Sequence, residues 1–453
     1  MVLDNKKNQH LFEINSQINV DSCCFCYKMK GVGGAEMLIQ FRFENFKSFR
    51  DDTYLDMTST GISEHPEHVI TFGTEKILPL AGIFGANASG KSNVIEALRF
   101  MRKYVLNSVQ YGGDPGGQNA SKDLRGSMPF LLDDSSRKKS TLFEVYFTAG
   151  EEGKVRFYNY GFTLDQNGIL EEWLNTKAKT SREDYRTIFY RSIPDDELDL
   201  VKIDANSRKS IQASLNPGAL VVTLGAMLKV KELEVVRNWF YDMLFSNSGD
   251  PLMDYLNTKR FPAQLENDLE YQREIVAYLS TFDPSIKGFR VEESQKGYNI
   301  YAIHHPAGGK SIELPLEQES DGTLKMFEFY PIIQSCLKNG SVMVVDELNS
   351  KLHPLLIRNL LLTFLNPEVN KYHAQLIFTS HDVWQLSNSI MRRDEIWFTE
   401  KSEDETSSLY SLADFVDEDG DKIRKDANYE KNYLLGRYGA IPKLSKIDVF
   451  KEA

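Results

Sequence analysis

The sequence is short of four things. It has no unbroken apolar run of the roughly 18 residues a membrane span needs. It also lacks an apolar N-terminal segment with a small-residue cleavage site. The expectation is a soluble, cytoplasmic protein with no membrane contact. Positive charge is in deficit: 53 Lys and Arg face 65 Asp and Glu, for a net charge of −12. That balance argues against broad binding of a phosphate backbone, which needs a cationic surface. Cysteine is scarce. Cys336 lies in an apolar, helical stretch and reads as a small buried hydrophobe. Cys23, Cys24 and Cys26 have no second Cys or His pair nearby, so they read as reduced thiols rather than a zinc site.

What is present is core material in the usual globular proportion, 41% hydrophobic against 26% charged. With 453 residues the chain is long enough for two or three domains, or for one with large insertions. Residues 1–36 show no periodicity and read as a disordered or mis-assigned extension, with Met37 as the natural start. From Met37 the text alternates. Ile39, Phe41 and Phe43 fall on one face and Leu38, Gln40 and Arg42 on the other, the period of a strand.

The run Ile77–Phe84 is nearly all apolar, as a strand buried on both faces would be. Gly85-Ala86-Asn87-Ala88-Ser89-Gly90-Lys91-Ser92 follows and fits GxxxxGK[ST]. Val94, Ile95, Leu98, Met101 and Val105 then recur at helical spacing. Strand, glycine loop and helix in that order make a phosphate cradle. Loop amides and the helix N-terminus point at the anion. Gly85 and Gly90 let the backbone come close. Lys91 reaches the β- and γ-phosphates, and Ser92 offers a hydroxyl to Mg2+. The candidate nucleotide-binding residues are Gly85, Asn87, Ser89, Gly90, Lys91, Ser92 and Asn93.

A second apolar run, Val342–Val345, ends in Asp346-Glu347. A buried parallel strand would place both carboxylates where open α/β sheets bind ligands. Asp346 then joins Ser92 as a Mg2+ ligand, and Glu347 becomes the base for an attacking water. A third run, Leu376–Phe378, leads through Thr379-Ser380 to His381, placed to sense a γ-phosphate.

This order of motifs resembles ABC-class ATPases of the SMC/Rad50/RecF/OLD type. The resemblance implies ATP and Mg2+ as ligands and Glu347, His381 and Lys91 as catalytic residues. It makes Leu348–Pro354 the D-loop, and it implies ATP held between two copies of the chain. In that family a five-residue signature, with Ser second and Gly fourth, touches the partner's ATP. Here it corresponds to Glu319-Ser320-Asp321-Gly322-Thr323, so Ser320 and Gly322 complete the expected site. Asp321 replaces the usual Gly, Thr323 the usual Gln or Glu, and Asn349 the usual D-loop Asp. Asp321 should weaken phosphate binding unless it points away. No glutamine falls in Ser127–Asp133, where the family's glutamine loop is expected.

The expected fold is an α/β P-loop head of ABC type, with a mixed central sheet and an antiparallel meander. Residues 37–175 form lobe I, with meander strands near 141–149, 154–165 and 168–174. Residues 176–290 read as a helical insertion without sustained heptads, hence without a long coiled-coil arm. Residues 291–400 form lobe II and 401–453 a C-terminal region. Lys202, Arg208, Lys209, Lys229 and Lys231 are interleaved with acids and read as a solvated face, so nucleic-acid contact is allowed but not indicated. Asp417, Asp419 and Asp421 lack the remaining ligands of a calcium loop and read as an acidic turn. The ending Gly436–Pro442 resembles stand-alone ATPases of bacterial anti-phage, abortive-infection operons, which pair with a separately encoded nuclease or toxin. The expected role is therefore a dimerising ATP switch that controls such an effector. The rival expectations are a RecF-like DNA-repair ATPase and an ATP-binding scaffold with little turnover.

Overall fold

The alternation after Met37 builds the strand Leu38–Glu44, with Phe41 and Phe43 fully buried. In the computed structural model, residues 36–111, 128–151, 153–247, 265, 268–294, 297–306, 309–416, 420 and 422–442 are described. Cys23, Cys24, Cys26, Asp417, Asp419, Asp421 and all of 1–36 except Glu36 lie outside the described residues.

Two sheets organise the molecule. The first has seven strands in antiparallel pairs, ordered Glu197–Asp199, Arg186–Ser192, Ile169–Ala178, Arg156–Leu164, Thr141–Ala149, Leu38–Glu44, Thr53–Asp56. The second has six strands, ordered Leu244–Asn247, Val342–Asp346, Gln375–Thr379, Leu80–Gly85, Ile396–Lys401, Ser407–Ser411. Its first five run parallel and the last is antiparallel. Parallel strands are covered on both faces, which explains the unbroken apolar runs. Leu80–Gly85 and Gln375–Thr379 are buried along their whole length.

Alternate residues of the second sheet serve two cores. Ala81, Ile83, Val344 and Ile377 pack with the helix Lys91–Tyr111 and the first sheet. Leu80, Phe84, Met343 and Phe378 pack with the helices Asp321–Asn339 and Pro354–Leu365. Gln375 pins the two sheets together. Its side chain accepts from Leu38 N at 2.6 Å and donates to Leu38 O and Leu78 O, both at 2.9 Å. The residue is fully buried, so these bonds are made without competing water.

The stretch 176–290 differs from a helical insertion. It does contain the helices Ala205–Ser214, Val221–Met227, Lys231–Asp242 and Leu269–Ser280. It also supplies Arg186–Ser192 to the first sheet and Leu244–Asn247 to the second. Residue 176 falls inside one strand, Ile169–Ala178, and residue 290 inside another, Ile286–Ser294. Short strands amid charged residues carry almost no period, whereas the helices' apolar stripes were readable. The described part of the C-terminal region likewise joins the core. The Tyr433 ring stacks on Phe398 at 5.4 Å, and Tyr438 is fully buried. Cys336 is also buried.

Candidate nucleotide-binding site

The loop Gly85–Gly90 turns from the strand Leu80–Gly85 into the helix Lys91–Tyr111. The glycines are required by space and conformation. Gly85 has φ +150°, and a Cβ there would lie 2.4 Å from Thr399 O. Gly90 has φ +113°, and a Cβ would meet Ser407 Oγ at 2.6 Å. Ser89 turns inward, its Oγ sharing a hydrogen bond with Thr399 Oγ1 at 2.6 Å. The Asn93 side chain donates to Ser48 Oγ at 2.7 Å, so it braces the helix start against the segment before the strand Thr53–Asp56. Asn87 is exposed at the loop tip. Of the expected binding residues, Ser89 and Asn93 thus spend their side chains on holding the loop. The Asn93 and Val94 amides donate to Gly90 O, so the amides of Lys91 and Ser92 are the ones at the helix start suited to an anion.

Lys91 is buried, and its Nζ donates to Gly85 O at 2.8 Å and Ala86 O at 2.7 Å. Burial pushes its pKa down to about 8, against the attraction of Asp346 and Glu347. The carboxylates lie at the C-terminal end of Val342–Asp346, two strands from the loop's own. Ser92 Oγ donates to Asp346 Oδ1 at 3.1 Å. Thr379, on the intervening strand, donates to the same oxygen at 2.6 Å and accepts the Glu347 amide at 2.7 Å. Glu347 has φ +52°, the left-handed region that a non-glycine residue adopts at a cost. His381 Nε2 lies 3.8 Å from Glu347 Oε1. Burial, then the charge of Lys91, lower the His381 pKa and favour the neutral ring. Asn349 accepts from Ser380 Oγ and the His381 amide, both at 3.2 Å, so the D-loop departure ties that loop to the histidine.

Residues 80–383 match the family model described as "AAA domain, putative AbiEii toxin, Type IV TA system". The chain belongs to this family. Among solved structures it is similar to an SMC head bound to the C-winged helix domain of ScpA, at 14% identity and TM-score 0.40, covering 83% of this chain and 97% of that one. It is also similar to the SMC head domain from Thermotoga maritima, at 15% identity and TM-score 0.37, covering 83% and 98%. No curated protein matches it.

In this family member Glu319–Thr323, the expected signature segment, sits against Leu348–Pro354, the expected D-loop. Ser320 caps the helix Asp321–Asn339, accepting Thr323 N at 3.1 Å. Thr323 Oγ1 donates to Asp283 Oδ2 at 3.1 Å. Asp321 points toward Lys351 Nζ, 3.5 Å away, in an exposed pair. A Cβ on Gly322 would lie 3.2 Å from Lys351 O. The structure thus brings Lys91, Ser92, Asp346, Glu347 and His381 into one group, and places Ser320 and Gly322 with the D-loop instead.

Sequence reasoning missed Thr379 and Thr399. Both hydroxyls act across strand pairs; Thr379 is marked locally only as a strand end, and Thr399, inside Ile396–Lys401, carries no local signal. His65, Glu67 and His68 bring three potential ligand atoms within 4.8 Å. The two rings stack nearly parallel, at 10°, so their in-plane lone pairs do not converge on one ion. His68 Nδ1 instead pairs with buried Glu395 at 3.0 Å.

Proposed function

We propose that the protein binds Mg2+ and ATP in the Gly85–Ser92 cradle and hydrolyses the nucleotide. In this reading the P-loop amides and Lys91 hold the phosphates. Ser92 Oγ and Asp346 Oδ1, 3.1 Å apart, suit neighbouring positions around an octahedral ion with metal–oxygen distances of about 2.1 Å. Both are hard oxygen donors, so the residues fit Mg2+. The bound metal nucleotide supplies the electrophilic phosphorus and neutralises its charge. Glu347, at the mouth of the site, takes the proton of an attacking water, and neutral His381 orients beside it. The observation that carries this reading is the hydrogen-bonded chain from Ser92 through Asp346 and Thr379 to the Glu347 amide.

The same reading makes two copies of the chain sandwich the nucleotide, with Ser320 and Gly322 of one copy facing the ATP of the other. The dimer is then a bistable element that hydrolysis releases. An effector that prefers one of its two states is gated by it. A separately encoded nuclease or toxin in anti-phage defence is the partner this reading assigns, and the cytoplasm its place. The family description, which names a putative AbiEii toxin and a Type IV TA system, supports the defence setting of this reading and says nothing of a separate effector. Binding with little turnover is the second reading, and Asp321 and Asn349 favour it.

ATP turnover and oligomeric state of the wild type and Glu347→Gln test all of this. The expected result is turnover that rises with protein concentration in the wild type. Its loss by about 10²–10⁴-fold in the variant is the effect of removing a general base, with an ATP-bound dimer trapped. A wild type that hydrolyses ATP as a monomer, with a variant that stays monomeric, would sink the sandwich. A wild type that dimerises with ATP yet turns over no faster than the variant would favour the second reading.

A further inference from the structure

The helix that begins at Ser320 buries a lysine. Lys325 is 6% exposed, among the buried Met326, Phe327 and Phe329. A buried ammonium is costly unless it finds acceptors. Lys325 finds two, both backbone carbonyls of the D-loop: Ser350 O at 2.5 Å and Leu348 O at 3.4 Å. The ammonium also lies 5.2 Å from the centre of the Phe329 ring, within cation–π range. Burial pushes its pKa down to about 8, opposed by the attraction of Glu347 and then Glu328.

The other side of the D-loop is tied to the backbone of Glu347 and Thr379. Ser350 N donates to Glu347 O at 2.9 Å, and Leu348 N to Thr379 O at 3.0 Å. The loop is therefore held between Glu347 and the helix that carries Ser320 and Gly322. Two further contacts join the same surfaces, the Lys351–Asp321 pair at 3.5 Å and the close approach of Lys351 O to Gly322. Those two are exposed or depend on packing alone. Lys325 is the buried, charge-assisted member, and such hydrogen bonds are the stronger ones.

We propose that Lys325 is a positioning residue that locks the D-loop to the Ser320 helix, so that engagement of Ser320 and Gly322 sets the placement of Glu347. This rests on the reading of Glu347 as the base and of Ser320 as a contact to a second copy's nucleotide. Lys325 touches no expected phosphate position; it acts through Ser350 and Leu348.

The test compares Lys325→Met, Lys325→Gln and Lys325→Arg with the wild type in ATP binding and in turnover across ATP concentration. Met fills the cavity without a donor, Gln keeps an uncharged donor, and Arg keeps the charge. A purely structural lysine predicts lower stability, or binding and turnover lost together, and no selective loss of kcat, since Met leaves Ser350 O and Leu348 O without this donor. The expected result is a kcat at least tenfold lower in Lys325→Met, with KM and ATP affinity within threefold of wild type. Lys325→Gln should fall between, and Lys325→Arg should recover at least a third of the wild-type kcat. Wild-type kcat in Lys325→Met, joint loss of binding and turnover, or no recovery in Lys325→Arg overturns the proposal. Glu347→Gln, assayed alongside, separates the two failures. If it is inactive and Lys325→Met is normal, only the lock fails; if it is active, the reading of Glu347 fails.

Discussion

The Thr379 hydroxyl donates to Asp346 Oδ1 at 2.6 Å, from the strand that lies between Asp346 and the P-loop. Thr379 Oγ1 also accepts the Glu347 amide at 2.7 Å, so one buried hydroxyl sets the aim of one carboxylate and the backbone of the other. Replacing Thr379 with Val keeps the shape and removes the oxygen. It leaves a part-buried amide without its acceptor and Asp346 Oδ1 with Ser92 Oγ alone, at no more than about 1–3 kcal/mol. We expect Thr379→Val to fold, to lose about 10–100-fold in turnover, as partners behind metal ligands typically do, and to need more Mg2+ for half-maximal rate. Thr379→Ser should restore both. Steady-state assays across Mg2+ concentration check this; an unchanged Mg2+ requirement in the Val variant would count against it.

Ser320 caps its helix and lies with the D-loop, on the side expected to meet a second copy. An arginine there is too long to remain a cap and projects into that contact. Ser320→Arg should abolish ATP-dependent assembly while leaving ATP binding at the P-loop within a few-fold. Light scattering with and without ATP, beside a fluorescent-nucleotide titration, would show it. Assembly that survives the substitution removes Ser320 from the interface.

Gly85 tests the cradle itself. An alanine would place its Cβ 2.4 Å from the backbone oxygen of Thr399, in a left-handed conformation at φ +150°. Backbone cannot yield as a flexible side chain would. Gly85→Ala should lower stability by about 1–3 kcal/mol or more and reduce ATP affinity more than tenfold. Melting temperature and nucleotide titration are the measurements, and wild-type values in both would refute the crowding argument.

Glu172 predicts a pH effect far from the site. It is fully buried and accepts Val221 N at 2.7 Å, Val222 N at 3.1 Å and the Tyr160 hydroxyl at 3.1 Å. Burial pushes its pKa up to about 7 from 4.5, although the Arg191 charge and the two amides oppose the rise. A carboxyl raised on folding holds its proton more tightly in the folded state. Its contribution is therefore lost as pH rises from about 4.5 to about 7, and is flat on either side. The size is on the order of 3 kcal/mol at most. Glu172→Gln keeps an acceptor and removes the titration. The wild type should lose more melting temperature than the variant between pH 5 and pH 8; parallel losses would show that Glu172 does not titrate there.

The part of the site that could be read from the chain is the part built from neighbours. Gly85–Ser92 is one loop, and its glycine, lysine and hydroxyl requirements are met within eight consecutive residues. Asp346-Glu347 follows its strand directly, and Ser320 announces a helix by its place before one. Thr379 was visible only as a strand end. Its role depends on the order Val342–Asp346, Gln375–Thr379, Leu80–Gly85, and on the register that sets Val345 against Phe378. Nothing within ten residues of Thr379 records that order. The strand Leu244–Asn247 was hidden for a similar reason. Four residues beside a helix carry too little period to be told from a loop.

The sequence by itself determined the phosphate loop, the paired carboxylates, the helix cap at Ser320 and the two-sided burial of the central strands. Each follows from local chemistry: φ, period or capping. The tertiary structure decided that Thr379 holds Asp346, that Asp321 faces Lys351 and that Lys325 is buried against the D-loop. It also made Leu412, Tyr429, Tyr433 and Tyr438, past residue 400, part of the core. The physical reason is that hydrogen bonds and burial between distant segments depend on strand order and register, which are set by how whole faces pack.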